Sequence, residues 1–152
     1  MMQSKVITTE ENLQKAFAIR KEVFVHEQGV PLEEEFDSFD TLNGPCEHIL
    51  VYYDGKAVGT GRLRVTDDFG KLERICILEH YRKFGLGKGI VAALEKIAAQ
   101  KGLARVKLHG QTQAEGFYHK LGYLTSSTVF MEAGIPHILM QKELITKLEE
   151  VE

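Results

Sequence analysis

The chemistry-bearing feature of this chain is the run Leu72-Glu-Arg-Ile-Cys-Ile-Leu-Glu-His-Tyr-Arg82-Lys-Phe-Gly85-Leu-Gly87-Lys88-Gly89, which reads as a strand, a glycine-rich turn and the start of a helix. Glycines let backbone approach an anion closely, and the first amides of a helix lack intrahelical partners at the positive end of its dipole. Such a turn suits a phosphate group. The spacing does not fit a Walker A loop: Arg82 stands where the first glycine is needed, and Gly89 follows Gly87-Lys88 in place of Ser or Thr. It does not fit the dinucleotide fingerprint either, because after Gly85 and Gly87 the third glycine position is Ile90. What remains is Arg82-x-x-Gly85-x-Gly87, flanked by Lys83 and Lys88, or else a glycine turn that caps an ordinary surface helix.

The elements around this loop follow from periodicity and turn residues. Lys5-Val-Ile-Thr8 reads as a first strand, and Thr8-x-x-Glu11 as a capping box for a helix bearing Leu13, Phe17, Ile19, Val23 and Phe24, stopped by Gly29 and Pro31. The stretch from Leu32 to Pro45, with Glu33, Glu34, Glu35, Asp37 and Asp40 and no basic residue, reads as an acidic surface loop. Asp54-Gly55 joins strands 48–53 and 57–65 as a hairpin, and Asp67 to Gly70 turns into a strand over 71–77. A helix over 86–101 ends at Gly102 and is followed by a strand over 104–109, a short helix over 114–121 and two closing strands around Ala133-Gly-Ile-Pro136; the charged tail from Leu144 to Glu152 is expected to fray.

Composition sets the frame. A chain of 152 residues with 43% hydrophobic and 27% charged residues suits one domain, residues 1–152, with a sizeable core. The net charge of -3 and the absence of a basic stripe argue against nucleic acid. With no apolar stretch of membrane-spanning length, and Met1 to Lys5 leading into a strand, a cytoplasmic protein with no membrane partner is expected. Cys46 and Cys76 are expected as free thiols, and Cys46-x-His48 lacks the further ligands a metal site needs, so no metal is expected.

The order β-α-β-β-β-α-β-α-β-β, with Arg82-x-x-Gly85-x-Gly87 after the fourth strand and Phe117-Tyr118-x-x-Leu121-Gly122-Tyr123 at the last helix, resembles the GNAT superfamily of N-acetyltransferases. Glu27-Gln28-Gly29-Val-Pro31, Glu35-x-Asp37-x-x-Asp40 and Glu132-Ala-Gly-Ile-Pro-His137-x-x-Met140 further resemble its small bacterial ElaA-like and YjcF-like subgroup. The resemblance implies a mixed α/β fold whose mostly antiparallel sheet splays between strands 4 and 5 and is flanked by helices. It implies acetyl-CoA as co-substrate, its pantetheine arm on the backbone edge of Ile75, Cys76 and Ile77 and its pyrophosphate on Arg82, Lys83, Phe84, Gly85, Leu86, Gly87 and Lys88. The Cys76 thiol is an alternative acyl carrier, although direct transfer is the superfamily's norm.

For a lysine-like amine, reaching the neutral form at pH 7 costs about 4.6 kcal/mol, so a base or a water relay is expected. Glu73 is the first candidate, because GNAT enzymes use an acid on that strand, and Glu27 and His109 are further ones; Glu73 otherwise pairs with Arg74, Arg62 or Arg64, and His109 otherwise hydrogen-bonds a neighbouring segment. Tyr118 is implied beside the CoA sulfur, or else is a core aromatic, and Phe117 is read as packing. Glu27, Gln28 and the acidic loop are implied at the acceptor pocket, where they attract a cationic amine or simply form a solvated face. The implied activity is transfer of acetyl to a primary amine of a small molecule or peptide in a ternary complex, with a homodimer among the expected assemblies. The alternative is a non-catalytic acyl-CoA-binding regulatory or interaction module on the same fold.

Overall fold

The computed structural model describes residues 1–144. An eight-stranded mixed sheet is flanked by helices on both faces. The first strand, β1 (Met2–Val6), pairs antiparallel with β2 (Cys46–Tyr53). Between them runs α1 (Glu10–Arg20), capped by Thr9 and not by the expected Thr8: Thr9 is extended, and its hydroxyl accepts the Asn12 amide at 3.2 Å. The helix continues as π-helical turns over Lys21–Glu27, in which the Gln28 amide reaches back to the Val23 carbonyl, and stops at Gly29, φ +77°.

Asp54 and Gly55 both take left-handed φ, 49° and 83°, as a two-residue hairpin turn requires, and join β2 to β3 (Lys56–Thr66). After a tighter turn than expected, at Asp67 and Asp68, β4 (Phe69–Ile77) pairs with β3. The helix α3, named after the single-turn α2 (Leu32–Glu35), spans Leu86–Gln100 and leads to β5 (Arg105–Gln111). It presses Ile90, Val91, Leu94 and Ala98 onto one sheet face against Leu63, Leu72, Val106 and Leu108, while α1 covers the other face with Leu13, Ala16 and Ile19 against Leu50 and Cys76.

Beyond β5 come a 3₁₀ turn (Thr112–Ala114), α4 (Glu115–Lys120), β6 (Leu124–Thr125), β7 (Phe130–Glu132) and β8 (Ile135–Glu143). Three closing strands thus stand among the described residues where two were expected. The extra one, β6, has only two residues and so no alternation to read. Except for Leu144, the tail expected to fray lies outside the described residues.

The sheet order is β1-β2-β3-β4-β5-β8-β6, with β7 on β8, and β4-β5 is its parallel pair. That pairing lasts from Phe69↔Arg105 only to Leu72↔Leu108. From there β5 follows β8 out to Gln111, while β4 stays with β3 out to Ile77. The divergence coincides with a bulge in β4: between the pairs Arg62↔Glu73 and Thr60↔Cys76, Arg74 and Ile75 face Gly61 alone, and Arg74 takes φ +56°. A bulge of this kind bends its strand, and here it bends β4 where β5 leaves it.

Candidate active site

A cleft of about 900 Å³ opens between the two arms of the splay. Ile75, Cys76 and Ile77 line it, and on the β5 side their backbone has no ladder, because pairing ended at Leu72. The Cys76 side chain is buried in the cluster under α1, and burial pushes its thiol far above the ordinary range. Its own peptide groups face Thr60 across the β3 ladder, while those of Ile77 face away from β3.

At one end of the cleft, Gly85 takes φ +72° and turns the chain directly into α3, with no side chain capping the helix. The amides of Leu86, Gly87 and Lys88 in the first turn are therefore unpaired by the helix itself. A Cβ on Gly87 would lie 3.1 Å from the Phe117 ring. Gly85, Gly87, Lys88 and Arg82 line the cleft; Lys83, Phe84 and the buried Leu86 do not. Phe84 stacks on Tyr53 at 4.5 Å between ring centres and carries the Lys83 ammonium over its own face at 5.5 Å.

Arg82 is occupied. Its Nη1 and Nη2 donate to the Glu27 carboxylate at 2.6 and 2.7 Å, and its Nε to the Ile77 carbonyl at 3.0 Å. Two residues that the sequence assigned to opposite ends of the site hold one another, and the hydrogen bond from Arg82 keeps the Glu27 carboxyl below its ordinary range. Glu27 lies outside the cleft lining, whereas Gln28 is in it and accepts a hydrogen bond from Gln111 at 2.9 Å, tying the end of the π-helical turns to β5.

Tyr118 lines the middle of the cleft, edge-on to Phe117 and to the buried Tyr123 at 5.0 and 5.8 Å. Its hydroxyl has no hydrogen-bond partner among the described residues, and burial pushes it up to about 12. Phe117, read as packing, is 39% exposed and also lines the cleft.

Next to the bulge lies an ion network. Arg62, 2% exposed, donates to Glu73 at 3.0 Å, to Asp37 at 2.9 and 2.8 Å and to Asp40 at 2.8 Å. Arg20, 1% exposed, donates to Glu35 at 2.9 Å and to Asp40 at 2.6 Å. Glu73 also binds Arg64 at 3.0 Å and Lys71 at 2.9 Å, while Arg74 reaches Glu35 and Asp37 and not Glu73. Burial pushes the Glu73 carboxyl up, but hydrogen bonds from Arg64 and Lys71 and the charge of Arg62 more than offset this and hold it at about 2. Of the two roles expected for Glu73, the ion pair is the one its surroundings build.

The acidic stretch divides: Glu33 and Glu34 are exposed, as a solvated face would be, whereas Glu35 and the Asp40 side chain are buried partners of arginines. Buried charge of this kind is retained only with partners. The sequence reading did not find Arg20, yet it stands at helical spacing on the stripe of Leu13, Ala16 and Val23.

At the far end, His109 lines the cleft, and its Nδ1 lies 2.8 Å from the Glu132 carboxylate of β7, the neighbouring-segment contact expected for it. Glu73, His109, Tyr118, Gln28, the Ile75 to Ile77 edge and the glycine loop thus meet in one cleft.

The comparisons agree with this geometry. The acetyltransferase (GNAT) domain matches residues 6–144. YjcF, an uncharacterized N-acetyltransferase of Bacillus subtilis, is 49% identical over 143 residues, covering 93% of this chain and all of its own. A solved acyl-CoA N-acyltransferase from Pseudomonas aeruginosa is 26% identical with a TM-score of 0.82, covering 93% of this chain and 99% of that one. The solved structure of Escherichia coli ElaA is also 26% identical at a TM-score of 0.82, covering 94% of this chain and 100% of that one. The chain belongs to the GNAT acetyltransferase family, in its ElaA- and YjcF-like subgroup, and is an acetyltransferase enzyme.

Proposed function

We propose that this protein, as a single domain, transfers the acetyl group of acetyl-CoA directly to a primary amine in a ternary complex. The observation that carries the reading is the splay: β4 has no ladder to β5 over Ile75 to Ile77, and this stretch, whose Ile77 carbonyl is held by Arg82 Nε, lines one cleft with the left-handed Gly85 at the helix N-terminus, Tyr118 and His109. The amides of pantetheine would pair with that edge and the pyrophosphate with the α3 amides and Lys88.

The amine nitrogen attacks the thioester carbonyl, its proton goes to the His109 Nε2, and the C–S bond breaks to release the CoA thiolate. Glu73 and Glu27 are poor bases here because arginine hydrogen bonds stabilise their charged forms, whereas the Nε2 of His109 has no partner among the described residues. Tyr118, at about 12, would give its proton to a thiolate of ordinary pKa at a cost of about 5 kcal/mol. It therefore stabilises the leaving sulfur by donating a hydrogen bond, and the proton comes from solvent.

The test is CoA thiol release with acetyl-CoA across polyamines, aminoglycosides, amino acids and lysine peptides. Release that depends on one amine class, with the acetylated amine identified by mass, supports the reading. Silence across the panel, with acetyl-CoA bound, supports a non-catalytic acyl-CoA-binding module.

A further inference from the structure

The Glu132-Ala-Gly-Ile-Pro-His137 segment, which stands apart from the acyl-donor motifs, places two more ionisable groups at the His109 end of the cleft. Ala133 and Gly134 take left-handed φ, 51° and 75°, and fold β7 back on β8 with Glu132 opposite Ile135 and Phe130 opposite His137. Directly opposed residues share a sheet face, and side chains alternate along each strand, so Phe130, Glu132, Ile135 and His137 all point the same way. The pairs His109↔Leu139 and Gln111↔His137 put His109 on that face too.

On this face Phe130 lies between the two histidines, edge-on to His109 at 5.0 Å and stacked with His137 at 6.2 Å. The Glu132 carboxylate addresses both: Oε1 is 2.8 Å from His109 Nδ1, and Oε2 is 3.9 Å from His137 Nε2. The hydrogen bond from His109 holds the Glu132 carboxyl below its ordinary range. A carboxylate can only accept, so the 2.8 Å contact requires a proton on Nδ1 and leaves Nε2 of the neutral ring as a lone pair. His137 is buried, with its Nδ1 donating to the Ile135 carbonyl at 2.6 Å, which fixes its ring beside the second carboxylate oxygen.

We infer that Glu132 is a positioning residue for acetyl transfer: it fixes the His109 ring and its Nδ1–H tautomer so that Nε2 accepts the proton of the attacking amine. This rests on the acetyl-transfer reading above. The proton balance is simple: the amine, neutral after giving its first proton to solvent, attacks and loses one proton to Nε2, the Nδ1 proton stays on the ring and bonded to Glu132, and solvent then takes the Nε2 proton.

The test combines kinetics with ¹⁵N imidazole NMR of His109. In the wild-type protein the expected tautomer is Nδ1–H, and in Glu132→Ala that preference is lost. Glu132→Ala is expected to lower kcat/KM for the amine about 100-fold, within the range of general-base effects, with KM for acetyl-CoA changed less than threefold, and Glu132→Asp to recover at least tenfold. An Nε2–H tautomer in the wild type overturns the inference, whatever the variants do. So does a Glu132→Ala enzyme that matches wild-type turnover. If the wild type acetylates no amine, the acetyl-transfer reading fails separately, while loss of the Nδ1–H preference in Glu132→Ala still supports the positioning.

Discussion

Glu73→Gln separates a structural carboxylate from a catalytic one. In the native protein Glu73 is held at about 2 against an ordinary value of 4.5, and its side chain is only 7% exposed. That difference is worth about 3 kcal/mol at neutral pH. The sign follows from the depressed value: the contribution is complete above 4.5 and disappears as pH falls through about 2. Glutamine retains an acceptor but leaves Arg62, Arg64 and Lys71 without their shared anion. Urea or thermal unfolding at pH 7 should therefore show a loss of about 3 kcal/mol, or roughly 6 to 12 °C for a chain of this size. The gap between wild type and variant should hold from pH 7 to pH 5 and shrink to about 1.4 kcal/mol by pH 3. Assayed well below its melting temperature, the variant should keep kcat within about tenfold. A variant as stable as wild type whose kcat nonetheless falls 1,000-fold would refute the reasoning and restore Glu73 as the base.

Other outcomes follow from the same geometry. Gly85→Ala adds a Cβ at φ +72° with nothing within 4 Å of it, so the cost is conformational, about 1 to 2 kcal/mol; unfolding measures it, and calorimetry should show acetyl-CoA bound at least tenfold more weakly as the loop relaxes. Tyr118→Phe should lower kcat by about 10- to 100-fold with acetyl-CoA affinity nearly intact, and unchanged turnover would remove the hydroxyl from the reaction. Cys76, buried and with its thiol pushed up, should resist iodoacetamide in the native protein at pH 8, and Cys76→Ala should keep turnover within threefold; trapping of an acetylated Cys76 by mass spectrometry would contradict direct transfer.

The donor side of the cleft was legible because its signals are local. Gly85 and Gly87 lie two residues apart, Asp54-Gly55 specifies its turn by itself, and the apolar spacing of α3 sets which face meets the sheet. The bulge at Arg74 was not legible, because an arginine with left-handed φ is imposed by the mismatch of β3 and β4 and not by its own preference. The ion network was missed for a related reason. Arg20, Glu35, Arg62 and Glu73 come from α1, α2, β3 and β4, and a charge run such as Leu32 to Pro45 looks solvated until its distant partners are known. The clamp between Arg82 and Glu27 spans 55 positions and reassigns two residues that each looked free in the sequence.

In the proposed complex the glycine loop and the β4 edge hold acetyl-CoA. Thermal unfolding with acetyl-CoA, CoA, ATP and NAD in parallel tests it most directly. At 100 times its dissociation constant, acetyl-CoA should add about 2.7 kcal/mol of stability. That corresponds to a rise of roughly 5 to 10 °C, with CoA also stabilising. A rise with ATP or NAD and none with acetyl-CoA would contradict it.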